Sequence, residues 1–494
     1  MKIYMLHPPF VLNGQEIPKF FRCTRWQGGT TRGGTYWYPI WLSYATGVVE
    51  SNGHKVRLVD APAWNWKLKD VINDAKKFSP DLVVVDSNFS SLKNDCNIAK
   101  LLKDETGAIS VLVGPPASQF PEKILNSGID IVARFEYDFT IGDIAEAIEE
   151  GKSLENVKGI SYMENGKIIH NPDREFATSD ELDRIPFVSK VYKKHLNIKD
   201  YFLSHTLYPM VQIFTGRGCP NRCTFCSWPK TLMGRKYRVR SVKNVVDEFE
   251  YITKELPEVK EIFIEDDTFT INKKRIRDIC NEIIKRKLDI TWSCNARANL
   301  DYETMKVMKE AGCRLLDVGY ESGSDEILKN IKKGITTKES RRFTEDAKRA
   351  GLMILADFIF GLPGETKETA EQTIRFVKEI KPNIVQFAVA TPIPGTEFYD
   401  YVKENGFLLV EDLEESLDEE GFQKCIISYP EFTKEDIEEY VNRALKEYYL
   451  SLSFIPIAMK NVLRKNGLHE LKGMIMSAKV FMKYLNRKKM TTGR

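Results

Sequence analysis

The run TGRGCPNRCTFCSWP, Thr215 to Pro229, sets Cys219, Cys223 and Cys226 in a C-x3-C-x2-C spacing, with Phe225 just before the third. An apolar run, MVQIF, leads into it, and a helical pattern, SVKNVVDEFEYITKEL, follows. A zinc site needs four ligands, usually from two CxxC-like pairs. A thioredoxin-like redox site needs a lone CxxC. Three thiols on one strand-to-helix loop match neither. They match an iron–sulfur cluster. Such clusters are normally held by four thiolates, so a set of three leaves one iron open for chemistry.

The strand-then-helix pattern recurs downstream. Residues 208–404 contain six strand candidates: MVQIFTG, EIFIEDDTFT, DITWSCNAR, LLDVGYESG, MILADFIFGLPGE and IVQFAVATPIPG. Such alternation predicts a parallel sheet with helices outside it. Six units are too few for a closed eight-fold barrel, so a partial barrel is expected, with its chemistry at the carboxyl ends of the strands. Polar and glycine-rich residues collect at those ends.

Residues 1–150 form a separate alternating series. KIYMLHPP, KVRLVDAP, DLVVVDSN, AISVLVGPP and IDIVARFE are its strands, and LVVV and VLVG are the continuous apolar runs of strands buried on both faces. The expected fold class is therefore α/β: a Rossmann-like parallel sheet, then the six-unit partial barrel, then helices. Ligands of an open parallel sheet bind beyond its carboxyl ends. Those ends carry Pro9, Asp60, Ser87, Asn88, Gly114 and Glu136. No GxGxxG follows the first strand, so the dinucleotide fingerprint is missing. Residues 151–207, with the ENGK turn, read as a hairpin and linker, and residues 405–494 as a mostly helical region.

The chain has 494 residues, 42% hydrophobic and 29% charged, with a net charge of +3. That is a globular composition with no global basic field for nucleic acid. No apolar stretch reaches the ~20 residues of a membrane span, and no signal-peptide core opens the sequence. A cytoplasmic protein is expected. Cys23, Cys96, Cys280, Cys294, Cys313 and Cys425 are scattered singly, as small buried hydrophobes are, and not as a disulfide framework.

Together these motifs resemble the radical S-adenosylmethionine (SAM) superfamily. The order of sheet, partial barrel and helical tail, with TPIPGTEFY at the barrel's end, is similar to its cobalamin-binding class. The resemblance implies a [4Fe–4S] cluster on Cys219, Cys223 and Cys226, whose open iron chelates the amino and carboxylate groups of SAM. A low-potential donor of ferredoxin or flavodoxin type would drive cleavage to a 5′-deoxyadenosyl radical. It implies SAM contacts at Phe225, and at Glu265, Asp266 and Asp267, which stand where the family has a glycine-containing motif for the amino group. It also implies contacts at Ser293, Asn295 and Arg297, at Gly319 and Glu321 in a loose G-x-I-x-G-x-x-E, and at Gly361 and Gly364 beside the adenine. A cobalamin would meet Pro9, Ser87, Asn88, Gly114 and Glu136. The usual D-x-H-x-x-G motif is absent; His7 alone precedes Pro8-Pro9.

YWYPIWLSYATGVVESNGHKVRLVDAPA and TGRGCPNRCTFCSWPKT are similar, more finely, to hopanoid-associated and archaeal calditol-forming members. That likeness implies ring closure on a polyol or sugar head group of a membrane lipid. A basic amphipathic tail after Pro456, with Lys460, Arg464, Lys465, Lys472 and Lys479 among its cations, suits peripheral contact with an anionic membrane surface. Sister enzymes methylate unactivated carbons, so a cobalamin-dependent methyltransferase acting on a small molecule, lipid or peptide is the alternative. An RNA- or protein-modifying enzyme is a third reading. It would carry a second cysteine triplet near the amino terminus, where only Cys23 and Cys96 stand.

Overall fold

A computed structural model describes residues 1–22, 25, 28–31, 34–464 and 467. Its first sheet has seven strands, in spatial order Lys55–Asp60, Lys2–His7, Leu82–Asp86, Ile109–Val113, Ile131–Ala133, Ile160–Glu164 and Lys167–His170. The first five run parallel. Every residue of Leu82–Asp86 is buried, as its unbroken apolar run requires of a strand covered on both faces.

The hairpin departs from expectation. It is not part of a linker: Ile160–Glu164 pairs antiparallel with Ile131–Ala133 and extends the first sheet past residue 150. Its turn residues Asn165 and Gly166 have φ of 50° and 76°, the left-handed pair that matches strand twist in a two-residue turn. Arg134 fastens it by donating to the carbonyls of Ile160 and Asn171.

The second sheet has six parallel strands in sequence order: Met210–Ile213, Glu261–Ile264, Trp292–Ala296, Cys313–Glu321, Met353–Phe360 and Ile384–Val389. Ser241, Asn272, Asp301, Thr336 and Thr366 cap the helices between them. Each cap satisfies an amide that the helix leaves unbonded, so the chain turns back sharply beyond each strand. Leu315, Met353, Leu355 and Ile384 fill one part of the lumen, and polar side chains line the rest. On the last strand Gln386 and Ala388 stay exposed, so the barrel is open on that side.

Helix Ile40–Ser51 is buried at every position from Ile40 to Val49. A helix that is apolar all round must be covered all round. It lies within one continuous core that holds Ile3 and Met5 of the first sheet as well as Ile213 and Phe263 of the second.

Helix Lys434–Tyr449 packs on the last strand. Its Tyr449 hydroxyl donates to the Val385 carbonyl and accepts from the Val385 amide, both at 2.9 Å. The chain thereby arrives at the amino end of the barrel, where Asn383 donates to Asn461 of helix Ile455–Val462 at 2.8 Å. The tail thus starts opposite the cysteine loop, a placement its amphipathic pattern did not reveal. Lys465, Lys472 and Lys479 lie outside the described residues. Among the described residues no helix is long and apolar enough to cross a membrane.

Candidate active site

The cysteine loop is anchored on every side. Thr215 donates to Asp266 through its amide at 2.6 Å and its hydroxyl at 2.7 Å. Arg217 is buried, pairs with Asp138 of the first domain at 2.7 and 3.0 Å, and lies 4.4 Å over the Trp41 ring. At Gly218 φ is +90°, and a Cβ would sit 2.2 Å from the Lys236 carbonyl, so only glycine passes. The Thr224 amide donates to Ile331 at 3.0 Å, and the Thr224 carbonyl accepts from Phe398 at 3.1 Å. Phe225 is half-buried against the core.

Cys219 and Cys223 are buried and Cys226 half-buried. Burial, and then the Asp267 carboxylate, push the Cys219 and Cys226 thiols up. Thiolates here need a metal's positive charge beside them, which fits the donor set to an iron–sulfur cluster. Asn221 donates to the Cys219 sulfur at 3.2 Å and Arg297 to the Cys223 sulfur at 3.7 Å. Bonds of this kind tune a cluster's potential.

The second-strand acids separate by geometry. Asp266 is taken up by Thr215 and by the Tyr237 hydroxyl at 3.0 Å; it holds the cysteine loop in place. Glu265 accepts from Gln212 at 2.7 Å, and Asp267 keeps one oxygen buried without a partner. Burial pushes both carboxyls up, Asp267 to about 7. Arg25, from the first domain, reaches this pair: its guanidinium lies 3.6 Å from Glu265 and 3.5 Å from Asp267, donates to the Glu265 carbonyl at 2.9 Å, and covers the Trp228 ring at 4.2 Å.

Ser293 corrects an expectation. Its hydroxyl donates to Glu261, which also binds Arg314 at 2.9 Å and the Leu207 amide at 2.7 Å. It belongs to a buried structural network, one residue pair below Asn295 along the strand. Asn295, with its amide oxygen toward Arg25, accepts at 3.1 and 3.3 Å. Arg297 also donates to the Lys333 carbonyl. Glu321 takes φ of +67°, unusual for a glutamate, and pairs with Lys333 at 2.6 Å beside Gly319. Gly361 and Gly364 close a turn whose Glu365 carboxylate accepts from the Gly361 and Leu362 amides, while the Gly361 carbonyl accepts from Tyr429 at 2.8 Å. These contacts account for that turn as a structural closure against the carboxy-terminal region.

Sequence reading missed Arg25, Gln212 and Lys333, which nothing in the local pattern marks. It also missed Asp317 and Asp357. They lie on neighbouring strands, and burial pushes both carboxyls up. Their signal was available: each is an acid interrupting an apolar strand run, LLDVG and LADFIF.

The edge of the first sheet also sorts itself. Arg22 is buried, pairs with Asp95 at 2.7 Å and donates to the Pro8 carbonyl at 2.6 Å, with the Pro9 carbonyl 3.5 Å away. Ser87 donates to Asp95 at 2.9 Å, and Asn88 accepts from the Gly28 amide at 3.0 Å. The Ser87 and Asn88 side chains therefore hold loops together. Glu136, expected at the corrinoid, is taken by Arg238 of the barrel at 2.7 and 2.8 Å; a buried carboxylate so close to a guanidinium pairs with it. Gly114 has φ of +102°, and a Cβ would lie 2.3 Å from the Ser87 carbonyl, so glycine alone lets these two strand ends meet.

Polar atoms left over at this edge mark a ligand site. Both His7 ring nitrogens, Trp41 Nε1, Asp86 Oδ1 and the Tyr137 hydroxyl are buried without a partner. Each such group costs about 1–3 kcal/mol. A corrin ring, rimmed with amide side chains, fits a margin supplied with unmatched donors and acceptors. Burial pushes Asp86 to about 8, far above the ~3.9 of an unfolded aspartate. A raised acid holds its proton in the fold, so this contribution is intact below the unfolded value and is lost as pH rises toward 8. Asp86→Asn should therefore leave the melting temperature of the cofactor-free protein unchanged at pH 4 and raise it by about 2–4 °C at pH 8. Scanning calorimetry at both pH values checks this, and an equal shift at both would refute it.

A narrow cavity lies between the two carboxyl edges. Its walls are Arg22, Trp37, Trp41 and Asp86 of the first domain and Gln212, Trp228 and Glu265 of the barrel. Comparison with known proteins agrees with these two halves. Residues 213–377 match the model of the radical SAM superfamily, and residues 28–144 that of the B12 binding domain. An uncharacterized methyltransferase of Pyrococcus horikoshii is 34% identical over 421 residues, 84% of this chain and 89% of that one. The hopanoid C-3 methylase of Methylococcus capsulatus is 26% identical over 73% of this chain and 67% of its own. In fold, the chain is similar to the radical SAM methyltransferase TsrM from Kitasatospora setae, solved with cobalamin and a [4Fe–4S] cluster bound. The TM-score is 0.70 at 16% identity, over 98% of this chain and 99% of that one. The chain belongs to the B12-binding radical SAM family, an enzyme family whose cofactors are a [4Fe–4S] cluster, SAM and cobalamin, and which needs a reductant.

Proposed function

We propose that the chain is a cobalamin-dependent radical SAM methyltransferase. The observation that carries this is the cavity between the carboxyl edges of two parallel sheets, so that a molecule held there meets a wall from each domain. When bound, the cluster and SAM supply one-electron cleavage of a sulfonium, and cobalamin supplies a methyl group. Cys219, Cys223 and Cys226 would hold the cluster, and Arg297 and Asn221 donate to the Cys223 and Cys219 sulfurs. Asp267 and Glu265 would accept the SAM ammonium, with Asn295 beside them on Arg25. Trp37, Trp41 and Trp228 give the cavity apolar walls that exclude water from a reactive species. The loops at Gly114 and Pro9 would border the corrin.

The more numerous relatives named as methyltransferases, with the 34% identical one among them, support methyl transfer; two relatives are named as magnesium-protoporphyrin IX monomethyl ester cyclases. The finer reading, ring closure on a lipid head group, keeps one observation: Leu450, Leu452, Ile455, Met459 and Leu463 are exposed apolar residues near Lys460 and Arg464. They lie where the chain reaches the barrel's amino end, so a bilayer docked there does not face the mouth. The two readings separate in one assay. Reconstituted protein, cobalamin, reductant and methyl-labelled SAM are incubated with extract of a host strain lacking the gene. Methyl transfer gives a labelled product with matching S-adenosylhomocysteine and 5′-deoxyadenosine. Ring closure gives deoxyadenosine and an unlabelled product, and that result would overturn the proposal.

A further inference from the structure

Among the described residues, the mouth of the barrel is rich in acids and carries fewer cations. Glu265, Asp267, Asp317 and Asp357 stand in it or beneath it, each with its carboxyl pushed up by burial. The cations there differ in how they are held. Lys333 is closed on Glu321 at 2.6 Å. Arg297 is turned to the Cys223 sulfur and the Lys333 carbonyl. Arg25 is the third, and it comes from the other domain. Its ion pairs with Glu265 and Asp267, at 3.6 and 3.5 Å, are longer than the 2.7–2.9 Å of a close charge-assisted bond. Its position is nonetheless fixed by other means: the Glu265 carbonyl at 2.9 Å, the Asn295 amide oxygen, the Trp228 face at 4.2 Å, and its own carbonyl, which accepts from Ser227 at 3.4 Å. Ser227 directly follows Cys226, so Arg25 sits against the cluster loop.

We propose that Arg25 is a positioning residue for SAM: its guanidinium takes the SAM carboxylate while Glu265 and Asp267 take the ammonium. This rests on the radical SAM reading of the site. An amino-acid head group carries one charge of each sign about one bond angle apart, and it is recognised best where an anion and a cation of the protein stand equally close together. Asp267 and Arg25 are such a pair, 3.5 Å apart. A planar guanidinium suits a carboxylate, which it can bind through two parallel N–H bonds. The SAM seat of the barrel is then incomplete without the first domain, and SAM binding joins the domain that holds cobalamin to the one that holds the cluster.

The test uses the full-length, cluster-reconstituted protein and two probes, SAM and decarboxylated SAM, which lacks only the carboxylate. Dissociation constants are measured anaerobically by equilibrium dialysis. Loss of a bond to a charged group predicts that Arg25→Met weakens SAM binding roughly ten- to a hundredfold. It predicts no change for decarboxylated SAM, and partial recovery for SAM in Arg25→Lys. Equal weakening of both probes would mean that Arg25 merely supports the loop, and would overturn the inference. Tighter SAM binding in Arg25→Met would mean that Arg25 competes with the ammonium for the acids, and would overturn it too. Either result leaves the radical SAM reading standing. Failure of the wild-type protein to bind SAM at all would remove both.

Discussion

Replacing Cys219, Cys223 and Cys226 together with alanine is expected to abolish iron binding while the protein stays folded. After anaerobic reconstitution the wild-type chain should hold about four irons per molecule and the variant none, by iron assay and by loss of the visible absorption band. The loop does not depend on its sulfurs for shape. Thr215 on Asp266, Arg217 on Asp138, and Thr224 on Ile331 and Phe398 fix it independently. The Cys219 and Cys226 thiols lie near the Asp267 carboxylate, where burial and like charge oppose thiolate formation. Without metal they are neutral small side chains, and alanine replaces them at modest cost. Circular dichroism should therefore be unchanged. Stoichiometric zinc in the wild type, or iron retained in the variant, would sink the assignment. Arg297→Met should keep the iron and lower the cluster's reduction potential, because a cationic donor to the Cys223 sulfur is lost.

The second large effect is on stability. Glu136→Ala is expected to destabilise the cofactor-free protein by about 3–5 kcal/mol, the cost of leaving one member of a buried ion pair alone. Glu136 and Arg238 are 6% and 5% exposed, so water cannot replace the missing partner. Glu136 also accepts from the Ala177 amide at 3.0 Å, and Arg238 also donates to the carbonyls of Ala177 and Met233. The pair links the edge of the first sheet to the strand that leaves the cysteine loop. Arg238→Met should cost a similar amount. The double variant Glu136→Leu with Arg238→Met should recover most of the loss, because a well-packed apolar pair avoids the desolvation of two charges. Urea unfolding of the wild type, Glu136→Leu, Arg238→Met and their double variant forms the cycle; losses that simply add would show that the two residues act independently.

Local patterns carried much of this architecture. Strands such as DLVVVDSN and AISVLVGPP are legible because burial on both faces demands an unbroken apolar run, and that is a property of consecutive residues. The C-x3-C-x2-C loop is legible because three ligands for one object were close in the chain. The hairpin at 160–170 was visible as a hairpin, through its Asn165-Gly166 turn, but not as part of the first sheet: a strand's partner is chosen by long-range pairing.

The same division runs through the site. EDD offered three adjacent acids of one chemical type, and sequence had no means to rank them. Only packing shows that Asp266 turns to Thr215 and Tyr237, while Asp267 keeps an oxygen facing inward. Glu136 sat at the right strand end for a corrinoid, yet Arg238, 102 residues away, claims it. Arg25 lies 240 residues before Glu265, in a segment with no pattern to mark it. What the sequence by itself determined was the class of each strand, the order of the two sheets and the cluster loop, since apolar periodicity and ligand spacing are local. Which acids serve, which residues only support, and which domain supplies the guanidinium in the barrel mouth were decided by the tertiary structure, because charge pairing and burial depend on distance in space.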